Sequence, residues 1–446
     1  MGSQTAFSPG TLFTDFAVVS ALLIAGQLLR ARIRFLRAWL IPSALIAGAL
    51  ALAAGPNGLA WLPLSAQVRA YPEMLVVLIF AALPFGAVLG GRDGVKREVG
   101  EMFCHVTFGI LAQYGWGMLL GLLALRAFWD VYPGFGFVLG IGFWGGPGTT
   151  AAAASGFEAY GWPDALTLGL TAWMIGVLVA IFVGTLILNI QARRGGLENA
   201  GTVAPAARGS ASGAAPQAEK VPVGWKTVSG ASMESLTLHL ALVFSIALAG
   251  WLGSERLREL WSGPSIPAFG LALITGFLLR PVLRAAGADA YVDRATIRSI
   301  SGTATDYLIV VGMAAIEAPR VVQYAAPLAA LLAFGVLLSL FQALALGPRM
   351  FGRYWFEKSI LVFGMNTGTL AQGIMLLRIA DPEMRSDALG VYGIVDLAIK
   401  PITLGMVVVG PVLIGNGYAL PFAMACSALA FAPLAAARAA GWWRRA

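Results

Sequence analysis

The stretch Trp144-Gly145-Gly146-Pro147-Gly148-Thr149-Thr150 decides the fold, together with its fainter echo Gly364-Met365-Asn366-Thr367-Gly368-Thr369. Each lies inside an apolar segment that otherwise reads as helix. Glycine is entropically unsuited to a helix interior, and proline lacks the N–H and collides with the preceding turn, so helix stops at the first stretch. In hydrocarbon the freed N–H and C=O groups find no water. Such a break survives only where protein buries it or a wet cavity receives it. Both stretches are therefore candidate sites.

The chain's composition supplies the hydrocarbon. Of 446 residues 58% are hydrophobic and 12% charged, with a mean hydropathy of +0.78, and many runs are long enough to cross a bilayer. This is the composition of an all-α polytopic membrane protein. The net charge of +8 sits in short clusters between apolar runs, the pattern of juxtamembrane charge, and speaks against nucleic acid. Cys104 and Cys426 lie in apolar segments without Cys or His at metal-ligand spacing, so both read as buried hydrophobes. No HExxH, GxSxG, Ser/His/Asp grouping or nucleotide loop is present, which argues against an enzyme.

The first apolar run, Leu12 to Leu29, lacks a basic leader and reads as a spanning helix with its N-terminus outside. Further spans are expected at Ala38 to Ala54, Pro72 to Leu89, Met102 to Leu125 and Ala165 to Leu188. In the second half they fall at Leu236 to Leu252, Ile266 to Leu279, Ser301 to Glu317, Val321 to Leu346, Ala388 to Leu413 and Ala419 to Ala437. If the Gly-rich segments crossed fully, the basic clusters would alternate sides. Treating 135–159 and 359–380 as re-entrant hairpins puts 24 of the 30 Lys and Arg on the cytoplasmic side. The central segment and the C-terminus then face the cytoplasm.

The stretch 193–233 is rich in Gly, Ala, Pro and Ser and reads as a flexible linker. It separates an N-terminal repeat, 1–192, from a C-terminal repeat, 234–416, with an additional helix in 417–446. Ile41-Pro42 matches Ile266-Pro267, Gly148-Thr149 matches Gly368-Thr369, and Asp164-Ala165-Leu166 matches Asp387-Ala388-Leu389, all at offsets near 220. Five spans and one hairpin per half make an odd number of crossings, so the halves insert with opposite orientation. That is the inverted-repeat plan of secondary transporters, whose sites lie where discontinuous helices meet.

In a hairpin the entering arm ends in free carbonyls and the returning arm begins with free N–H groups, offering oxygens to a cation and a positive helix end to an anion. This points to Gly146, Gly148, Thr149, Thr150, Gly368, Thr369 and Gln372 for an anionic solute, and to Gly145, Asn366 and Thr367 for a hard cation. The competing reading makes the glycines packing notches between helices. Asp396 and Lys400, four apart with the acid first, form either a self-neutralising pair or a coupling group. Asp306 has no local partner in the sequence and hints at a polar pathway. His105 and His239 read as structural.

The run from Arg32-Ile33-Arg34 through Ile41-Pro42 to Gly48 is similar to the bacterial sodium/glutamate symporter family, as are the Gly145–Thr149 break, Phe157-Glu158-Ala159-Tyr160-Gly161 and the position of Asp396. The resemblance covers most of the chain up to about Leu413. It implies sodium-coupled uptake of a small carboxylate such as glutamate across the bacterial inner membrane, without an organic cofactor. It also implies a lipid-embedded homodimer whose core moves against a scaffold. The sequence departs from the family's Gly-Gly-His-Gly-Thr-Gly pattern, with Pro147 at the histidine's place and Thr150 at a glycine's. Another carboxylate, another amino acid or other ion coupling therefore stays open. A proton-coupled carrier or exporter, and a non-transporting receptor or scaffold, are the alternatives.

Overall fold

The structure is a computed structural model and describes residues 8–38, 41–86, 96–194, 224–229, 232–260, 267–381 and 385–444. Most of the expected linker, together with Arg92, Ile266 and Arg445, lies outside the described residues. Fifteen helices carry the argument. In the first half they are α1 (Pro9–Arg32), α2 (Ser43–Ala54), α3 (Tyr71–Gly86), α4 (Lys96–Leu120), α5 (Gly146–Glu158) and α6 (Asp164–Arg193). The second half contributes α7 (Ser235–Leu260), α8 (Ala268–Ala285), α9 (Arg294–Ala314), α10 (Ala325–Phe341), α11 (Trp355–Thr367), α12 (Leu370–Ala380) and α13 (Ala388–Gly415), followed by α14 (Ala419–Leu429) and α15 (Phe431–Ala439). No strand occurs among the described residues.

Nine helical stretches among the described residues are long and apolar enough to cross a membrane. Two expected spans are not among them, for different physical reasons. Pro42, without an N–H, starts α2 late, and Gly55 closes it after 12 residues, about 18 Å against a hydrocarbon core of about 30 Å. By contrast, α9 has the length, 21 residues, but carries a polar stripe through Arg298, Thr303 and Asp306. The expected last span is interrupted at Ala430, one turn before Pro433, whose ring displaces the preceding turn.

The chain forms two compact units that do not follow its sequence halves. The first takes residues 1–37, 41–87 and 209–318, the second 38–40, 88–208 and 319–446. Thus α1–α3 and α7–α9 build the first unit, three helices from each half. The second holds α4–α6 and α10–α15.

In the first unit the helices approach through small residues, as membrane helices do without a water-driven hydrophobic force. A side chain on Gly250 of α7 would fall 2.5 Å from the backbone nitrogen of Ala272 in α8. Asp15, 1% exposed within α1, accepts from the Ser65 N–H at 2.8 Å, the Ser65 hydroxyl at 2.5 Å and the Tyr71 hydroxyl at 2.6 Å. Three donors compensate the buried carboxylate and tie the first helix to the segment leading into α3. His239 lies between the Ser235 carbonyl, 2.6 Å from Nδ1, and the Asp293 N–H, which donates to Nε2 at 2.7 Å. One ring nitrogen donates and the other accepts, so this is a neutral structural histidine.

Asp293 caps α9. Its Oδ2 accepts from the Thr296 N–H at 2.8 Å, the Thr296 hydroxyl at 2.7 Å and the Trp225 N–H at 3.1 Å. Burial acts to raise the carboxyl pKa, but these bonds outweigh it and hold the group below its usual value. A depressed folded-state pKa contributes stability above the unfolded value near ~3.9, and the contribution is lost as pH falls through the folded value. Asp293→Ala should cost about 1–2 kcal/mol at neutral pH. Thermal unfolding in detergent should show a lowered midpoint at pH 7 and a gap from the parent chain that closes below about pH 4.

Candidate functional site

Both breaks fold the chain back on itself within the second unit. The first segment enters as Phe137–Leu139 and a π-helical stretch, Gly140–Gly145, then turns at Gly146 with φ +71° and ψ −173°. An L side chain rarely adopts that conformation, which is why glycine stands there. Pro147 follows in the first turn of α5, where a missing N–H costs nothing. The reversal shows in three contacts. The Thr150 hydroxyl donates to the Ile141 carbonyl at 2.9 Å, although nine residues of continuous helix would separate them by about 13 Å. Phe137 meets Phe157 with ring centroids 5.4 Å apart, and Tyr132 stacks on Trp162 at 4.6 Å. The start and end of the segment are thus side by side.

The second hairpin is made by α11 and α12. A side chain on Gly364 would fall 2.7 Å from the Gly373 Cα, so the arms touch backbone to backbone. The bend is Thr367-Gly368-Thr369, with the Gly368 N–H bonded to the Gly364 carbonyl at 3.0 Å. Thr369 holds the N-cap position of α12 in an extended conformation, and its hydroxyl donates to Gln372 Oε1 and accepts from no helix N–H group. No side chain caps α5 either. Two helix N-termini therefore keep their positive ends uncapped by side chains.

The tips meet. A methyl placed on Gly146 would lie 3.9 Å from Thr369 Cγ2. Around Gly148 a methyl would meet nothing within 4 Å, so the first tip has an open side. The second tip is held by α6, whose Gly176 packs so closely that a side chain would land on the Thr367 carbonyl oxygen.

Gly145, Gly146, Gly148, Thr149 and Thr150 share one tip, and Asn366, Thr367, Gly368, Thr369 and Gln372 share the other. Their roles within the tips differ. Thr150 is fully buried and its hydroxyl holds the hairpin closed. The Thr367 hydroxyl donates to the Phe363 carbonyl at 2.9 Å. Gly145, Gly148, Thr149 and Thr369 are only partly buried and form the accessible rim. Asp396 and Lys400 form the ion pair that their spacing suggests, Nζ to Oδ1 at 2.9 Å, and the Tyr392 hydroxyl donates to the same oxygen at 2.9 Å. Those partners all belong to α13. Asp306 belongs to the first unit, on α9, and is not among the residues that the tips bring together.

A buried amide chain supports the second tip. The Asn366 side chain donates to Gln342 Oε1 at 2.6 Å, Gln342 Nε2 donates to the His105 carbonyl at 2.7 Å, and Gln113 Nε2 donates to the Asn366 carbonyl at 2.8 Å. His105 Nε2 lies 3.1 Å from the Gln342 carbonyl. All four side chains are at most 1% exposed. Gln113 Oε1 and Asn366 Oδ1 are buried without a hydrogen-bond partner. A made bond contributes about 0.5–1.5 kcal/mol net, whereas an unmade buried one costs about 1–3 kcal/mol. The two bare oxygens thus offset much of what the bonds contribute, and oxygens of this kind are what a hard cation takes as ligands. Gln113 and Gln342 escaped the sequence reading. Amides inside apolar runs were the available signal.

A polytopic helical protein with two broken hairpins joined at their tips has the architecture of the secondary transporters. The family model for the sodium/glutamate symporter matches residues 11–371, and the chain belongs to that family. It is accordingly a multi-pass membrane transporter and not an enzyme. No curated protein matches the chain. The family match ends inside α12, so Asp396, Lys400 and the last helices lie beyond it.

Gly176→Ala should displace the second tip. Overpacking of this kind costs about 1–3 kcal/mol, so the unfolding midpoint in detergent should fall and uptake should drop by roughly an order of magnitude. Gly393→Ala on α13, where a methyl meets nothing within 4 Å, should leave both unchanged.

Proposed function

We propose that the chain is a sodium-coupled symporter that takes up glutamate or a related small carboxylate by alternating access. The observation that carries this reading is the closeness of Gly146 to Thr369, where a methyl on the glycine would lie 3.9 Å from Thr369 Cγ2, the two residues standing at hairpin tips from corresponding places in the two halves. The internal repeat behind that correspondence has support beyond the sequence matches. The helix before each hairpin ends in a π-helical turn, Gly121–Leu125 and Gln342–Leu346, 221 positions apart. Each half sends its first three helices to one unit, and its π-turn helix, hairpin and next long helix to the other.

On this reading the hairpins are re-entrant from opposite faces of the bilayer. The N-terminus lies outside, and the central segment and C-terminus lie in the cytoplasm. The substrate carboxylate sits at the N-termini of α5 and α12, beside Gly146, Gly148, Thr149, Gly368, Thr369 and the side chain of Gln372. There free N–H groups and the helix dipoles favour negative charge. Sodium takes oxygens of Gly145, Asn366 and Thr367 on the carbonyl side of the tips. Binding of both neutralises the site, and the tips then open alternately toward each face. Asp396–Lys400 is kept as a self-compensating pair, because an isolated charge at that depth costs about 2.5–3.5 kcal/mol on insertion scales. A homodimer in the bacterial inner membrane is the assembly this reading adopts.

Glutamate uptake by proteoliposomes should require an inward sodium gradient and should fall to background in potassium or choline. Equal uptake in choline would refute sodium coupling, and flux driven by a pH gradient alone would favour a proton-coupled carrier. In the same assay Gly148→Val, which points two methyls into the open side of the tip, should insert and fold normally yet transport nothing. Full activity of that variant would move the site elsewhere.

A further inference from the structure

Away from the hairpin tips, the second unit contains a cavity of about 660 Å³ between α4, α13, α14 and α15. Its size lies within the ~300–1,000 Å³ typical of small-molecule sites. Phe103, Leu111, Pro401, Met406, Phe422 and Pro433 give it an almost wholly apolar wall. It opens past Leu429, Ala432 and Ala436, all exposed. Thr107 lines it as well, but its hydroxyl is turned into the protein, buried without a hydrogen-bond partner.

The end of the cavity at Phe103 and Ala436 is set in a cationic neighbourhood. The run from α14 through α15 is antiparallel to α4, with Gly115 of α4 against the Ser427 backbone of α14 and Gly100 against the ring of Trp442, just beyond α15. That register puts Arg438 level with Cys104. Lys96 and Arg97 lie two turns below Phe103 and Cys104 on the same face of α4. Glu101 is paired with Arg97 at 2.8 Å and Glu98 with Lys358 at 2.9 Å. With both carboxylates matched, Lys96 and Arg438 leave this end net positive.

We propose that this cavity binds one acyl chain of an anionic phospholipid of the bilayer. The chain lies against the apolar wall, and the phosphate faces Lys96 and Arg438. Cations near a membrane surface attract anionic lipid by about fivefold in affinity each. Apolar walls supply the remainder.

The test is native mass spectrometry of the full chain, reconstituted in equal parts of phosphatidylglycerol and phosphatidylcholine and then extracted into detergent. The parent chain should retain one phospholipid per polypeptide, with phosphatidylglycerol favoured by at least about fivefold. Gly405→Leu fills the cavity without a clash, since a methyl on Gly405 meets nothing within 4 Å. It should lose the retained lipid by at least tenfold with an unchanged helical circular dichroism spectrum. Lys96→Gln combined with Arg438→Gln should keep a bound lipid but lose the preference for phosphatidylglycerol. No retained lipid in the parent chain would overturn the proposal, as would equal retention of the two lipids. So would a Gly405→Leu variant that keeps its lipid, or one that changes oligomeric state with the lipid count unaltered.

Discussion

A peptide group that loses its helical partner inside hydrocarbon has nowhere to turn, and each one left bare costs several kcal/mol. The rest of the second unit follows from this constraint. The chain breaks its own helices at Gly146 and Gly368, and each break is enclosed by protein on nearly every side. The Thr150 hydroxyl closes the first hairpin on the Ile141 carbonyl. Helix α6 covers the second through Gly176, and the amide chain from His105 to Gln113 holds the Asn366 backbone. What stays uncovered or unbonded is small: the N-terminal turns of α5 and α12, the open side of Gly148, and two buried amide oxygens without a partner. On the proposed reading, these few groups are the ones that exchange partners with a solute and an ion.

Glycine at the tips serves two separate physical needs. At Gly146 it supplies a backbone conformation with φ +71°. At Gly364, Gly373 and Gly176 it supplies absence of bulk, so that backbones touch. The packing-notch reading therefore describes Gly364, with Gly373 and Gly176 opposite it, whereas Gly146 answers a backbone need. Close approach packs the two arms of the second hairpin against each other and α6 against its bend.

Much of the architecture was legible in the sequence because its causes are local. Pro147 between glycines ends a helix whatever surrounds it, and Asp396 four residues before Lys400 predicts the ion pair that forms. Non-local causes were not legible. Asp15 looks like an isolated charge in the first span until Ser65 and Tyr71 come up to it from fifty residues away. Gln113 and Gln342 are unremarkable until they meet at Asn366. Thr150 reads as a ligand by residue type, yet its hydroxyl is turned inward by a contact made across the bend. The grouping of α1–α3 with α7–α9 was also hidden, since nothing in a linear sequence of spans says which will pack together.

The account depends on the first segment returning to the side from which it enters, with α6, 30 residues or about 45 Å long, making the crossing. The most direct measurement is labelling of single cysteines at Glu158 and at Arg194 with a membrane-impermeant maleimide, in a chain with Cys104 and Cys426 replaced by serine. Both positions are exposed. The account predicts that the cysteine at 158 reacts from outside in intact cells and the one at 194 only after the cytoplasmic face is opened. Reaction of both from the same face would contradict it.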